Sequence, residues 1–314
     1  MPLQAIVSAS DGARVTVNAL TKNPTVIPRR IISMLQNQFL VDSLLRNGGS
    51  IPGGVAEFWE STPLFANSGS AIKEEFGEYK IVETSDGTPS IAVSVNRGLG
   101  IIISEDMRRR NQLDRVNQQM TQVRNTLIRD WDLALQAGLI GNPSIPTHVA
   151  GTAIDGSGTA HMWTDQTNAK IRSDILIAKQ LVTEAAVPTQ ADNWFGFMPD
   201  TMVMNTSDAF TLLNDPNFNN VYQWNLADQN LLYTGKLPNQ ILDLDTMVSR
   251  TWPKGTVLIC ERNTIGFISD ERGLQSTPLV ENPDTEVWRS NTSRISAIGI
   301  DQPLAGILIT GVSS

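Results

Sequence analysis

Few side chains in this sequence could make or break bonds, and their spacing decides what each could do. Glu74, Glu75 and Glu78 put three carboxylates within five positions, a grouping that could serve general acid–base chemistry. They fall in a stretch patterned as an extended ribbon, where a charged cluster at the surface or between subunits is the plainer reading. His148 and His161 are the only histidines, and as metal ligands they would need partners from elsewhere. Gly151 to Gly158 (GTAIDGSG) has the glycine content of a phosphate cradle but lacks the Lys-Ser/Thr pair of a P-loop. Gly156-Ser157-Gly158 is no nucleophile elbow, because its glycines adjoin the serine. The single cysteine, Cys260, sits in the apolar run Thr256 to Cys260 and reads as a buried thiol. Arg108-Arg109-Arg110 is the most basic run. It could hold a phosphate, or it could pair with carboxylates of this or a neighbouring chain. No motif supports an enzyme, a metal site or a cofactor.

Composition narrows the classes further. Lys and Arg total 24 and Asp and Glu 32 among 314 residues, a net charge of −8. That disfavours sequence-independent binding to nucleic acid, which needs a cationic face. Only 18% of residues are charged, so much of the polar surface is amide and hydroxyl, as on surfaces buried between subunits. One cysteine allows no internal disulfide. No apolar run reaches ~18 residues, the length needed to span a membrane, and no secretory signal pattern opens the chain.

The elements that must position these residues come in a distinctive order. Residues 1–54 read as an arm without its own core, with one short helix at Arg29 to Leu45 stopped by Asn47-Gly48-Gly49-Ser50. Such an arm packs either on this chain or on another. Residues 55–100 alternate apolar and polar as a long two-stranded ribbon. Ile101-Ile102-Ile103 should enter a core. Ser104 caps a helix expected to run unbroken to Gln136. Its stripe of Leu113, Val116, Met120, Val123, Leu127, Trp131 and Leu135 should face a sheet built partly from Ser293 to Ile300 and Ala305 to Gly311. A soft, Gly-rich region follows, then helices at Ser173 to Ala186 and after Asn205, and then short strands. The class is α+β.

This order, with Phe39 to Asn47 (FLVDSLLRN), Glu60 to Phe65 (ESTPLF), Glu75 to Glu78 (EFGE), Ser104 to Arg110 (SEDMRRR) and Val116 to Thr126 (VNQQMTQVRNT), resembles the major capsid proteins of tailed bacteriophages. Gly235 to Pro238, Pro253 to Leu258 and Trp288 to Ile300 extend the likeness, which is greatest for phages of actinobacteria. The resemblance implies the Hong Kong 97-type capsid fold. Its parts would be an N-arm at 1–54, an E-loop at 55–100, a P-domain at 101–164 and 285–314 with a spine helix at 104–137, and an A-domain at 165–284. It implies pentamers and hexamers closing into an icosahedral shell around double-stranded DNA, assembled in the host cytoplasm. It also implies a separate scaffold protein (the arm begins at Met1 with no prodomain ahead of it), a portal and an optional decoration protein. Arg46, Glu60, Lys73, Glu74, Glu75, Glu78, Arg108, Arg109 and Arg110 are the expected contacts between subunits. Some relatives crosslink an E-loop lysine to an asparagine; Lys73 and Lys80 are present, without further sign of that chemistry. Two alternatives stay open: an encapsulin-type shell of the same fold, and a hydrolase built on Glu74, Glu75 and Glu78.

Overall fold

The computed structural model describes residues 16–61, 70, 72–73, 75–79, 81, 87–165, 167–187, 190–215 and 240–313. The chain begins with three short helices, α1 (Val17–Lys22), α2 (Val26–Leu35) and α3 (Leu40–Leu44). One helix was expected over 29–45. The structure splits it because Asn37 takes a left-handed φ of 58° and Phe39 is extended. Ile27, Ile31 and Leu35 recur every fourth residue, and together with Val17, Leu20, Val41 and Leu44 they are buried in this chain's own core. Residues 16–54 therefore pack on their own subunit. The glycines expected to end the helix lie in a strand, β1 (Arg46–Ser50), parallel to β12 (Phe267–Ser276). Gly48 is required there, because a Cβ would stand 2.2 Å from the Ser269 hydroxyl.

Next come β2 (Val55–Glu60) and β3 (Thr88–Val93), an antiparallel ribbon, then β4 (Val95–Ser104). Within β4, Ile101 and Ile103 are buried as expected, whereas alternation turns Ile102 outward and leaves it 46% exposed. The long helix is two helices, α4 (Glu105–Arg109) and α5 (Leu113–Ile140). Ser104 caps α4, accepting from the Met107 amide. The break lies at Asn111, with φ 48°, whose side-chain oxygen accepts the Val17 amide at the start of α1. α5 then runs past Gly138, beyond the expected end. Val116, Met120, Val123, Leu127, Trp131 and Leu135 are all buried along one face.

The remaining elements are β5 (Thr147–Val149), α6 (Ile171–Thr183), β6 (Ala186–Val187), β7 (Gln190–Trp194), β8 (Thr201–Asn205), α7 (Thr206–Asn214), β9 (Gln240–Ile241), β10 (Leu244–Ser249), β11 (Thr256–Cys260), β13 (Val280–Asn282), β14 (Val287–Gly299) and β15 (Gly306–Thr310). Two main sheets result. In the five-stranded sheet β14 is the axis, with β4 along one edge, β12 and β13 along the other, and β1 outside β12. In the six-stranded sheet the order is β5-β15-β11-β8-β10-β9. α5 lies on β4 and β14, and α6 lies on β15 and β11. Two segments sit in the other sheet from the one their expected domain implied. Residues 306–310 pair with β11 and β5, away from α5, because Ile307, Leu308 and Ile309 are buried on both faces. Residues 267–282 join the sheet under α5, where β14 supplies a continuous partner.

A candidate contact surface on the ribbon

Alternation along β2 and β3 gives the ribbon two unlike faces. Ala56, Phe58 and Ala92 turn inward. The Phe58 ring meets Phe267 edge-on, with centroids 5.2 Å apart and planes at 85°. The outward face pairs Val55 with Val93, Glu57 with Ile91 and Trp59 with Pro89. Trp59 is 48% exposed, Ile91 63% and Val93 62%. Glu57 is the one charged side chain among these six. Beyond the strands, Ile72, Phe76, Tyr79 and Ile81 are also solvent-exposed. A continuous apolar face of this kind on a two-stranded ribbon marks a place where another surface belongs.

The expected contact residues divide. Glu75, Glu78 and Lys73 are exposed, and Lys73 lies 4.3 Å over the Tyr79 ring. Glu74 and Lys80 lie outside the described residues. Arg46 is held within the chain by an ion pair of 2.5 Å with Asp301 and by the Phe267 ring. Glu60 sits on the inward side of the ribbon opposite Thr88. Arg108 and Arg109 both reach Glu105, at 2.6 and 3.0 Å, so these two satisfy the within-chain reading. The hydrogen bond from Arg108 holds the Glu105 carboxyl below its ordinary range. Arg108 also stacks 4.9 Å over Trp288, whereas Arg110 is exposed.

Three features escaped the sequence reading. The first is Arg294, buried in β14, which binds Asp42 of α3 at 2.9 Å and Asp270 of β12 at 3.0 Å and stacks over Trp131. The second is Arg97, its direct cross-strand neighbour, 5.3 Å from the same ring. The third is Asp132, buried on α5, which accepts the Leu40 amide and the Thr251 hydroxyl; burial pushes its carboxyl up. The i, i+3 and i, i+4 spacing of Glu105 to the arginines was visible in the sequence. Nothing local marks Arg294 or Asp132, whose partners come from distant segments.

The two histidines, the glycine-rich loop and the cysteine all make contacts within the fold. Asp174 accepts the Trp163 indole N–H at 2.9 Å and the Gly151 amide at 3.0 Å, and burial pushes its carboxyl up. Buried His148 lies beside it, 3.6 Å away. His161 lies 3.5 Å from Asp165. The glycine-rich loop closes on itself, with Asp155 accepting from both the amide and the hydroxyl of Ser157. Burial raises the Cys260 thiol to about 12, far from a reactive thiolate. Among the described residues no three His, Cys, Asp or Glu side chains group as metal ligands, and no helix is long and apolar enough to cross a membrane.

The sequence pattern of the phage capsid protein family matches residues 88–308. No curated protein sequence matches this chain. Among solved structures, one from Mycobacterium phage Che8 superposes with a TM-score of 0.55 at 12% identity, covering 100% of this chain and 98% of that one. One from Microbacterium phage Oxtober96 gives 0.55 at 15% identity, covering 90% and 98%. The virus-like particle from Pyrococcus furiosus gives 0.55 at 12% identity, covering 90% and 97%.

Proposed function

Because this chain belongs to the phage capsid protein family, we propose that its copies associate as pentamers and hexamers, through the outward face of the ribbon, into an icosahedral shell around double-stranded DNA. The protein is a structural capsid protein with the Hong Kong 97-type fold. In that frame 1–54 is the N-arm, 55–100 the E-loop, 104–137 the spine-helix region of the P-domain, and 165–284, apart from the strands at 267–282 that join the sheet under α5, the core of the A-domain. Partners of the assembling chain are a scaffold protein, the portal and a decoration protein. The shell encloses the DNA without sequence-specific binding, and the net charge of −8 gives the chain no overall attraction to phosphate. Assembly takes place in the host cytoplasm, and no bond-making step is assigned to the chain. The observation that carries the reading is the apolar outward face of Val55, Trp59, Ile91 and Val93. A two-stranded ribbon is marginal in water, and a face this apolar on a soluble chain calls for cover.

The magnitude is appreciable. Trp59 is 48% exposed, and covering roughly 100 Å² of it contributes about 2–3 kcal/mol at ~25 cal/mol per Å². The test is Ile91→Asp, an exposed position whose change leaves the subunit folded. Electron microscopy and sedimentation should find wild-type shells and unassembled Ile91→Asp chains. Wild-type protein that stays monomeric at micromolar concentration, or normal shells from Ile91→Asp, would refute it. The contents of native particles separate this reading from an encapsulin-type shell: DNA in the first case, an enclosed enzyme in the second.

A further inference from the structure

Glu57 stands amid an apolar face, opposite Ile91 and flanked on its own strand by Val55 and Trp59. It has no ion-pair partner among the described residues. Covering that face would strip water from a carboxylate, which costs several kcal/mol unless a cation meets it. The covering surface must therefore present a positive charge.

One cation of this chain is built to supply it. Arg97 on β4 is partly buried, and its Nε is buried without a hydrogen-bond partner. Its guanidinium lies 5.3 Å over the Trp131 ring, a contact that helps hold it in place. The carboxylates at its cross-strand neighbour Arg294 are already committed. Asp42 and Asp270 both bind Arg294, and Asp270 also accepts the Ser296 hydroxyl. Arg97 is thus left facing a like charge across the strand pair, an arrangement that disfavours an uncompensated cation. Arg124 likewise has a buried Nε without a partner, but its terminal nitrogen donates to Gln38 at 2.9 Å. Arg97 is the more needy of the two.

We propose that Glu57 on the ribbon of one copy pairs with Arg97 beside the α5 helix of a neighbouring copy. The proposal rests on the reading that the ribbon face is buried between copies, and it names the polar contact that fixes the ribbon's register there. An apolar face alone can slide; a single buried charge pair permits one position.

Charge reversal tests it on the full chain. Glu57→Arg and Arg97→Glu should each stop shell formation while circular dichroism stays that of the wild type. The double variant Glu57→Arg/Arg97→Glu should form shells again. Where the charge-reversed Arg97 chain does not fold, a cycle of Glu57→Gln, Arg97→Gln and their combination decides. Each single change should raise the critical assembly concentration by roughly tenfold, and the double change by about the same tenfold, because both remove one contact. A roughly hundredfold, additive rise would overturn the pairing, as would failure of a well-folded charge-swapped chain to assemble. Rescue of Glu57→Arg by Arg124→Glu in place of Arg97→Glu would overturn it too. Additive effects in chains whose wild type forms shells sink the pair alone. Wild-type chains that never assemble sink the capsid-assembly reading and the pair with it.

Discussion

Replacing Trp131 by alanine should cost the subunit a large share of its stability. Trp131 is 2% exposed on the buried face of α5, with the Arg97 and Arg294 guanidinium groups 5.3 and 5.5 Å from its ring. Truncating a buried tryptophan to alanine costs ~3–5 kcal/mol through lost transfer energy and the cavity left behind. The two cation–ring contacts add about 0.5–1 kcal/mol each. Removing the ring also leaves Arg97, opposite Arg294 across β4 and β14, without its aromatic contact. The total, roughly 4–7 kcal/mol, is a large fraction of the ~5–15 kcal/mol that holds a typical domain. At ~2–4 °C per kcal/mol for a large domain, the melting temperature should fall on the order of 10–20 °C. Thermal unfolding of unassembled chains by circular dichroism measures this. Trp131→Leu retains most of the burial and should lose well under half as much. A Trp131→Ala chain melting within ~3 °C of the wild type would refute the packing argument. Equal losses in the leucine and alanine variants would show that the cavity is not the cause.

Two other outcomes follow from buried groups on the same helix. Val123→Asp places a carboxylate in the stripe under the five-stranded sheet and should give insoluble protein or none; soluble, normally assembled Val123→Asp particles would overturn the helix register. For Asp132, burial raises the folded carboxyl above its unfolded value, so its contribution is fully present below the ordinary carboxylate pKa and is lost as pH rises through the folded one. Asp132→Asn should therefore gain stability relative to wild type in urea titrations as pH goes from acid to neutral, and a variant that loses ground over that range would contradict this.

How far the sequence foretold these features depended on how locally each was determined. The stripe of α5 was legible because burial at three- and four-residue spacing is written along one segment. The break before it was not, because Asn111 turns left-handed in order to accept the Val17 amide, a contact across 94 positions. Gly48-Gly49 read as a stop, yet the absence of side chains is what lets β1 lie close against Phe267 and Ser269. β14 was taken as shorter than it is. Its buried positions Ser290, Thr292, Arg294 and Ser296 are polar, and their alternation carries no hydrophobic signal. The Glu57–Arg97 relation was equally hidden, because the two residues matter only once their faces and missing partners are known.

The central place of β14 also sets a timetable. β4 leaves the ribosome early, but its partner is made long afterwards: Ser104 meets Val287, and Val95 meets Ser296. Until then Ile101 and Ile103 have only half of their cover, and Phe58 waits for Phe267. Pairings so distant in sequence close slowly, because loop-closure entropy is lost before the contacts they make repay it. The ribbon thus receives the support beneath its inward face only after the sheet axis has been synthesised. If copies associate through the ribbon as proposed, a growing chain has no finished ribbon to offer, and association waits for subunits that have completed their fold.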